Sequence, residues 1–285
     1  MNNIMIIVPH EDDEILMAAG IIERAVREKK RVTVVMATNG DYEGKDKNSG
    51  SVRLWETLEG LKVLGLSEES VIFMGYADTG MELAESFLYG LFMEKDETKI
   101  HPGHCSDETY ALCSKPDFHS VKYGKPAPYT RRNFKRDLCE IIGEAAPDTI
   151  FTTSAEDIHG DHRGLFWFVK EILEEKAKEG IRPVLYSTVV HSRAGDENWP
   201  QRMEKLQGKG EELKSYTCPL HFNEGTLKWE ERVAFRVPEC MLSVDFSINK
   251  KAIALSRHKN ALKEDAVEYL YSFIKAEEIF WEIKY

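Results

Sequence analysis

The amino-acid sequence predicts an α/β fold, a mostly parallel sheet covered by helices on both faces, and three observations predict it. Residues 4–9 form a short, continuous apolar run, which suits a strand buried on both sides. From there to residue 190, short apolar runs alternate with longer stretches whose apolar residues recur at helical spacing. Glycine-bearing signals, Thr38-Asn39-Gly40 after one strand and Gly65 after one helix, punctuate the alternation.

Taken in order, the strand at 4–9 is followed by a helix over 14–29, with Ile15, Ala18, Ala19, Ile22 and Val26 on its core face. Residues 31–37 form the next strand, 41–50 a polar loop, 52–64 a helix, 70–75 a strand and 81–93 a helix. Residues 94–130 break the rhythm, holding proline, glycine, three histidines and several tyrosines without a period. A loop this long inside a compact domain is usually a lid or a binding loop. Regularity returns with a helix over 130–146, a strand over 149–153, a helix over 164–179 and a strand over 184–190. Residues 192–229 are polar and aperiodic. Residues 233–245 offer one or two strands, and 250–262 and 264–275 read as helical. The order implies a Rossmann-like core in residues 1–191, elaborated by the long middle loop and a C-terminal extension in 192–285. No repeat, low-complexity tract or separating linker appears, so residues 1–285 read as one domain.

Composition narrows the function. The chain has 285 residues, 42% hydrophobic and 31% charged, ordinary for a soluble globular protein. A net charge of −11 argues against nucleic acid and anionic membrane as partners. The short basic runs Arg131-Arg132 and Lys250-Lys251 read as solvated surface. Five cysteines without a CxxC spacing favour neither disulfides nor a thiolate zinc site, and suit reduced thiols in a cytoplasmic protein. The apolar start lacks the flanks of a signal peptide, and no stretch is long enough to cross a bilayer.

Two motifs carry chemistry. Pro9-His10-Glu11-Asp12-Asp13-Glu14 falls where the first strand ends, the edge at which open parallel sheets bind ligands. Adjacent carboxylates repel one another, a cost that a divalent cation removes while accepting imidazole and carboxylate donors. A helix N-terminus enriched in acids would explain Asp12, Asp13 and Glu14 but not His10. Ile158-His159-Gly160-Asp161-His162 follows the strand at 149–153 and opens the next helix. Alone, its two histidines would be incidental beside a cap at Asp157 or Asp161. Together the motifs supply the donors of an open catalytic zinc site at one sheet edge.

The sequence PHEDDE with HGDH resembles the PIG-L/LmbE-like family of zinc-dependent N-acetylglucosaminyl deacetylases, whose usual signature is PHPDDE with a later HxDH. Thr38-Asn39-Gly40-Asp41, Arg53-Leu54-Trp55-Glu56, Leu64-Gly65 and Gly75-Tyr76-Ala77-Asp78 resemble it too, so the likeness spans residues 1–191. Glu11 stands where the family usually has proline. The resemblance implies that His10, Asp13 and His162 hold the metal and that Asp12 is the general base. His159 would steady the oxyanion or protonate the leaving amine, and Arg53 and Asp78 would contact the sugar. An ordinary helix ion pair of Arg53 with Glu56 or Glu59 is an equal alternative.

The other histidines invite simpler readings. His101, His104 and His119 lie in the long loop with nothing to complete a metal site, and its aromatics Tyr110, Phe118, Tyr123 and Tyr129 would stack on a sugar or pin the loop to the core. His191 ends a strand on the catalytic side, where substrate contact is open and core packing is preferred.

The expected function is therefore zinc-dependent hydrolysis of an acetyl group from an N-acetylated amino sugar or related small molecule. Iron or another divalent ion is compatible with the same donors. A phosphoesterase would need further carboxylates from other strand ends. A sugar-binding or regulatory protein on the same scaffold is the remaining alternative, disfavoured by the intact Asp12, Asp13 and His162. A GxGxxG for a dinucleotide is missing after the first strand. Homo-oligomerisation is left open.

Overall fold

Continuous apolar runs become the central strands, because a strand covered on both faces has no side that tolerates polar groups. The computed structural model describes residues 1–42, 44–202, 213–218, 225–263 and 266–285. β1 (Asn3–Val8) is buried at all six positions. It is followed by α1 (Asp13–Arg27), β2 (Arg31–Thr38), α2 (Lys47–Leu64), β3 (Val71–Tyr76), α3 (Phe87–Met93), α4 (Phe118–Tyr123) and α5 (Arg131–Ala145). Then come β4 (Thr149–Thr152), α6 (Gly160–Lys178), β5 (Val184–Ser187), β6 (Arg232–Arg236), α7 (Lys250–Leu255), α8 (Val267–Tyr271) and β7 (Glu277–Ile283).

These strands form one seven-stranded sheet in the order β3-β2-β1-β4-β5-β7-β6. β1 to β5 are parallel, whereas β7 runs antiparallel to both β5 and β6. Alternate residues of β1 serve opposite faces, as strand geometry requires. Ile4, Ile6 and Val8 join the cluster containing Ile15, Leu58 and Leu255, on the side of α1, α2 and α7. Met5 and Ile7 join Leu88, Leu138 and Leu165, on the side of α3, α5 and α6.

Caps explain why three helices start away from their expected positions. Asp46 accepts the Asn48 amide, so α2 begins at Lys47 and takes up part of the expected loop. Ser86 accepts the Tyr89 amide and starts α3 at Phe87, later than residue 81. His159 accepts the Asp161 amide and starts α6 at Gly160, before residue 164. Gly164 must be glycine where α6 crosses α3, since a Cβ there would lie 2.4 Å from the Leu88 carbonyl carbon.

The long middle segment contains α4 and is pinned by its aromatics. Tyr129 is fully buried with its ring 5.3 Å from Tyr76 and 5.2 Å from Phe87, and Tyr110 donates to Asp41 at 2.7 Å. Beyond β5 the expectations need more correction. The strand expected over 184–190 stops at Ser187, and that over 233–245 stops at Arg236, two residues before Pro238, which has no amide to give. The helix expected over 250–262 ends at Leu255, and of 264–275 only α8 is helical, residues 264 and 265 lying outside those described. β7 is an addition to the expected elements, because its apolar stretch is short and flanked by glutamates. Lys251 is not solvated surface: it is 1% exposed and pairs with Glu278. Arg131 is half-buried and pairs with Glu97 and Glu171. No helix among the described residues is long and apolar enough to cross a membrane.

Candidate active site

Neighbouring parallel strands β1 and β4 send their following helices to opposite faces of the sheet, and this separation opens a crevice at their carboxyl ends. The loop after β1 carries His10, Glu11 and Asp12 into it, and α1 begins at Asp13. Asp12 has φ 124°, a conformation that side-chain-bearing residues rarely adopt, and its amide donates to Glu14 Oε2 at 3.0 Å. Such backbone persists only where its surroundings hold it, and it gathers at functional sites.

His10, Asp13 and His162 bring three donor atoms together. His10 Nδ1 lies 3.5 Å from Asp13 Oδ2 and 3.2 Å from His162 Nε2, and His162 Nε2 lies 3.3 Å from Asp13 Oδ2. A tetrahedral zinc ion bonded at about 2.0–2.1 Å would set its donors about 3.3–3.4 Å apart. Side-chain chemistry and spacing therefore fit a divalent metal.

Each imidazole is also braced at its far nitrogen by carboxylates. His162 Nδ1 meets Asp157 Oδ2 at 3.1 Å, and His10 Nε2 meets Asp78 Oδ1 at 3.0 Å and Asp161 Oδ2 at 3.3 Å. Carboxylate–histidine pairs of this kind fix ring orientation and raise donor basicity. Asp161 is not itself free to hold a metal. Its two oxygens take Ser86 Oγ at 2.6 Å, the Leu88 amide at 2.8 Å and Thr79 Oγ1 at 2.8 Å.

His159 adjoins this set: one ring nitrogen each from His10, His159 and His162 lie within 4.8 Å of one another. Because His159 Nδ1 accepts the Asp161 amide at 3.2 Å, its proton sits on Nε2, leaving a donor there.

Electrostatics follow from the crowding. Burial opposes protonation of His10 and His162, but Asp78 and Asp13 hold His10 well above the usual imidazole range, and Asp13 and Asp157 hold His162 at about 9. Burial and the Asp13 charge push Asp12 up to about 7, whereas His162 and His10 outweigh burial and draw Asp13 well down. Burial, reinforced by His10 and His162, drives His159 far below its ordinary value, and burial takes His191 to about 4.

Arg53 does not pair with Glu56 or Glu59. Its Nη2 donates to the Glu11 carbonyl at 2.9 Å, and its guanidinium lies 3.6 Å from both Glu11 and Asp78. Glu11 is buried, and burial raises it to about 8 against the pull of Arg53. Gly40 makes room for this pair, with φ 65° and no space for a Cβ, which would sit 2.2 Å from Glu11 Oε2. A cleft of about 670 Å³ opens beside these residues, lined by Asp12, Arg53 and Asp78, and also by His191, Asn260 and Tyr269.

All seven residues expected at the site thus meet at one edge of the sheet. The sequence marks Asp157 only as a cap, although an acid five positions before a candidate histidine ligand is a usable signal. Nothing local marks Tyr269. His191 is half-buried at the cleft rather than packed in the core. His101 pairs with Glu94, His104 contacts the Gly44 carbonyl and His119 pairs with Asp137, each away from the donor set.

A family model described as PIG-L, GlcNAc-PI de-N-acetylase, matches residues 5–173. No curated protein matches the sequence. Among solved structures, the N,N'-diacetylchitobiose deacetylase of Pyrococcus horikoshii is similar over 99% of this chain and 84% of its own, with TM-score 0.53 and 14% identity. A conserved protein of Thermus thermophilus is similar over 100% and 97%, with TM-score 0.53 and 12% identity. The zinc-inhibited form of teicoplanin deacetylase Orf2 is similar over 98% and 97%, with TM-score 0.54 and 14% identity. These likenesses concern the fold.

Proposed function

The chain belongs to the PIG-L family of deacetylases, and on that premise we propose that it hydrolyses the acetamide of N-acetylated amino sugars with zinc held by His10, Asp13 and His162. The observation that carries this reading is the set of three donor atoms 3.2–3.5 Å apart, with Asp12 beside them on constrained backbone. Zinc, when bound, supplies positive charge that polarises the acetyl carbonyl and makes water more acidic.

The remaining work falls to side chains. Asp12, beside a ligand yet not itself one, takes the proton of the attacking water on its carboxylate. His159 donates through Nε2–H to the carbonyl oxygen as negative charge develops there. Asp157 and Asp78 keep the ligand imidazoles oriented. Arg53, with its charge answered by Asp78, suits hydroxyl groups of a neutral sugar. That balance disfavours a phosphoester substrate.

The test is acetate release from N-acetylglucosamine and N,N'-diacetylchitobiose, with metal stripped, with zinc restored, and with Asp12→Asn. Release that requires zinc and collapses in Asp12→Asn, with zinc still bound, supports the reading. Protein that binds no divalent metal would sink it.

A further inference from the structure

The chain beyond β5 places one more histidine at the cleft, and its neighbours determine which of its nitrogens is free. Asp157 sets the backbone: its Oδ2 accepts the Val190 and His191 amides at 2.8 and 3.1 Å, besides meeting His162 Nδ1. In return the His191 carbonyl accepts the Ile158 amide at 2.9 Å. Residues 190 and 191 are therefore bolted to the loop that ends at His159 and leads into α6, whose first turn carries His162.

Tyr269 of α8 then sets the ring. It stacks on His191 with centroids 5.6 Å apart and planes 13° from parallel. A phenol has one proton, and the Val190 carbonyl, which can only accept, takes it at 2.7 Å. The 3.2 Å contact between the same hydroxyl and His191 Nδ1 must run the other way, with Nδ1–H donating to the phenol oxygen. A neutral imidazole protonated on Nδ1 keeps a lone pair on Nε2. That nitrogen has no hydrogen-bond partner among the described residues, and His191 lines the cleft with Asp12. His159, whose ring centroid is 5.5 Å away, has the opposite tautomer. The two rings offer one donor and one acceptor side by side.

We propose that His191 reads the substrate, its Nε2 accepting a hydrogen bond from a hydroxyl or the amide N–H of the N-acetylated sugar, and that Tyr269 is the positioning residue that holds this tautomer. The identity of the ligand rests on the deacetylase reading; the tautomer does not.

Histidine labelled with ¹⁵N in the zinc-loaded protein tests both parts, with His191→Phe assigning the signals. Nδ1 of His191 is expected to be protonated and Nε2 bare, and N-acetylglucosamine should shift the Nε2 resonance. Tyr269→Phe keeps the stack but removes the acceptor oxygen, so it should mix the tautomers. In kinetics, His191→Phe should lower kcat/KM for N-acetylglucosamine about tenfold, the loss of one hydrogen bond. His191→Gln, which returns an acceptor near the Nε2 position, should recover most of it. A protonated Nε2, an Nε2 signal indifferent to saturating sugar, or a His191→Phe protein within twofold of wild type would overturn the proposal. If Nε2 responds to the sugar while wild type releases no acetate, the deacetylase reading falls and His191 keeps its role. Acetate release with a silent Nε2 does the reverse, removing the role of His191 and leaving the deacetylase reading in place.

Discussion

Two clusters of buried charge touch α1, and they are built on opposite principles. At its middle, Lys251 Nζ donates to the Leu16 carbonyl at 2.8 Å and pairs with Glu278 at 3.1 Å, while Glu278 accepts the Gly20 and Ile21 amides at 2.8 and 3.1 Å. One cation meets one anion, and the backbone satisfies the rest. At its N-terminus, Glu11, Asp12, Asp13, Glu14 and Asp78 are buried against Arg53 and histidines, and neither oxygen of Glu11 has a hydrogen bond among the described residues. The first cluster staples the C-terminal segment to α1. The second stores unfavourable electrostatics where a cation and a substrate would relieve it. The contrast teaches that burial of charge alone does not mark a site; carboxyls whose burial is not offset by their partners, as at Glu11 and Asp12, do. Loss of a staple residue should cost stability and spare chemistry, and loss of a site residue the reverse.

The strongest test is Asp12→Asn. Asparagine tolerates positive φ and keeps the amide that Glu14 accepts, so the loop should hold its shape. Loss of the proposed general base should lower kcat by about 10²–10⁴. Zinc content should stay at wild type and the thermal midpoint should be equal or higher, since one member of a repelling group is neutralised. A variant that unfolds earlier would break the comparison. Lys251→Ala should do the opposite. It leaves Glu278 buried without its cation, a loss of about 3–5 kcal/mol measurable by urea unfolding. At temperatures where it remains folded, kcat/KM should stay within about twofold of wild type.

Asp157→Asn probes the border between the two kinds of cluster. Asp157 is a satisfied buried carboxylate, yet what it holds is His162. Zinc affinity, read by competition with a chelator, should fall about 10–100-fold. An unchanged affinity would make Asp157 part of the scaffold only.

How far the sequence reveals this division depends on distance along the chain. PHEDDE and HGDH are each compact, and strand order alone carries both to one sheet edge, so their meeting is visible before any coordinates, whereas the choice of His10, Asp13 and His162 among them rests on the family resemblance. The first parallel strand is equally visible, since burial on both faces leaves an unbroken apolar run from Ile4 to Val8. Partners far apart are not. Tyr269 lies 78 residues beyond His191, and Glu278 lies 27 beyond Lys251. Nothing in Lys250-Lys251 signals that only the second lysine turns inward. β7 escapes for a related reason: an antiparallel strand at the edge of a parallel sheet needs no long apolar run, and its own Glu277 and Glu278 disguise it.

The smallest effect comes from two glycines that share a backbone conformation but not a neighbourhood. Gly65 closes α2 with φ 90°, and a Cβ there would meet only Val26 Cγ1, at 3.3 Å. Gly65→Ala should therefore cost about 1 kcal/mol, the ordinary strain of a left-handed alanine, and leave kcat/KM unchanged. Gly40, at φ 65°, would carry the same strain and also drive a methyl group into Glu11 and Arg53. Gly40→Ala should lose activity beyond any loss of stability, because Arg53 cannot keep its place at the cleft. Equal behaviour of the two variants would mean that the Glu11–Arg53 pair is scaffold, as Lys251 and Glu278 are. A gap in activity at matched stability would place the pair with the site.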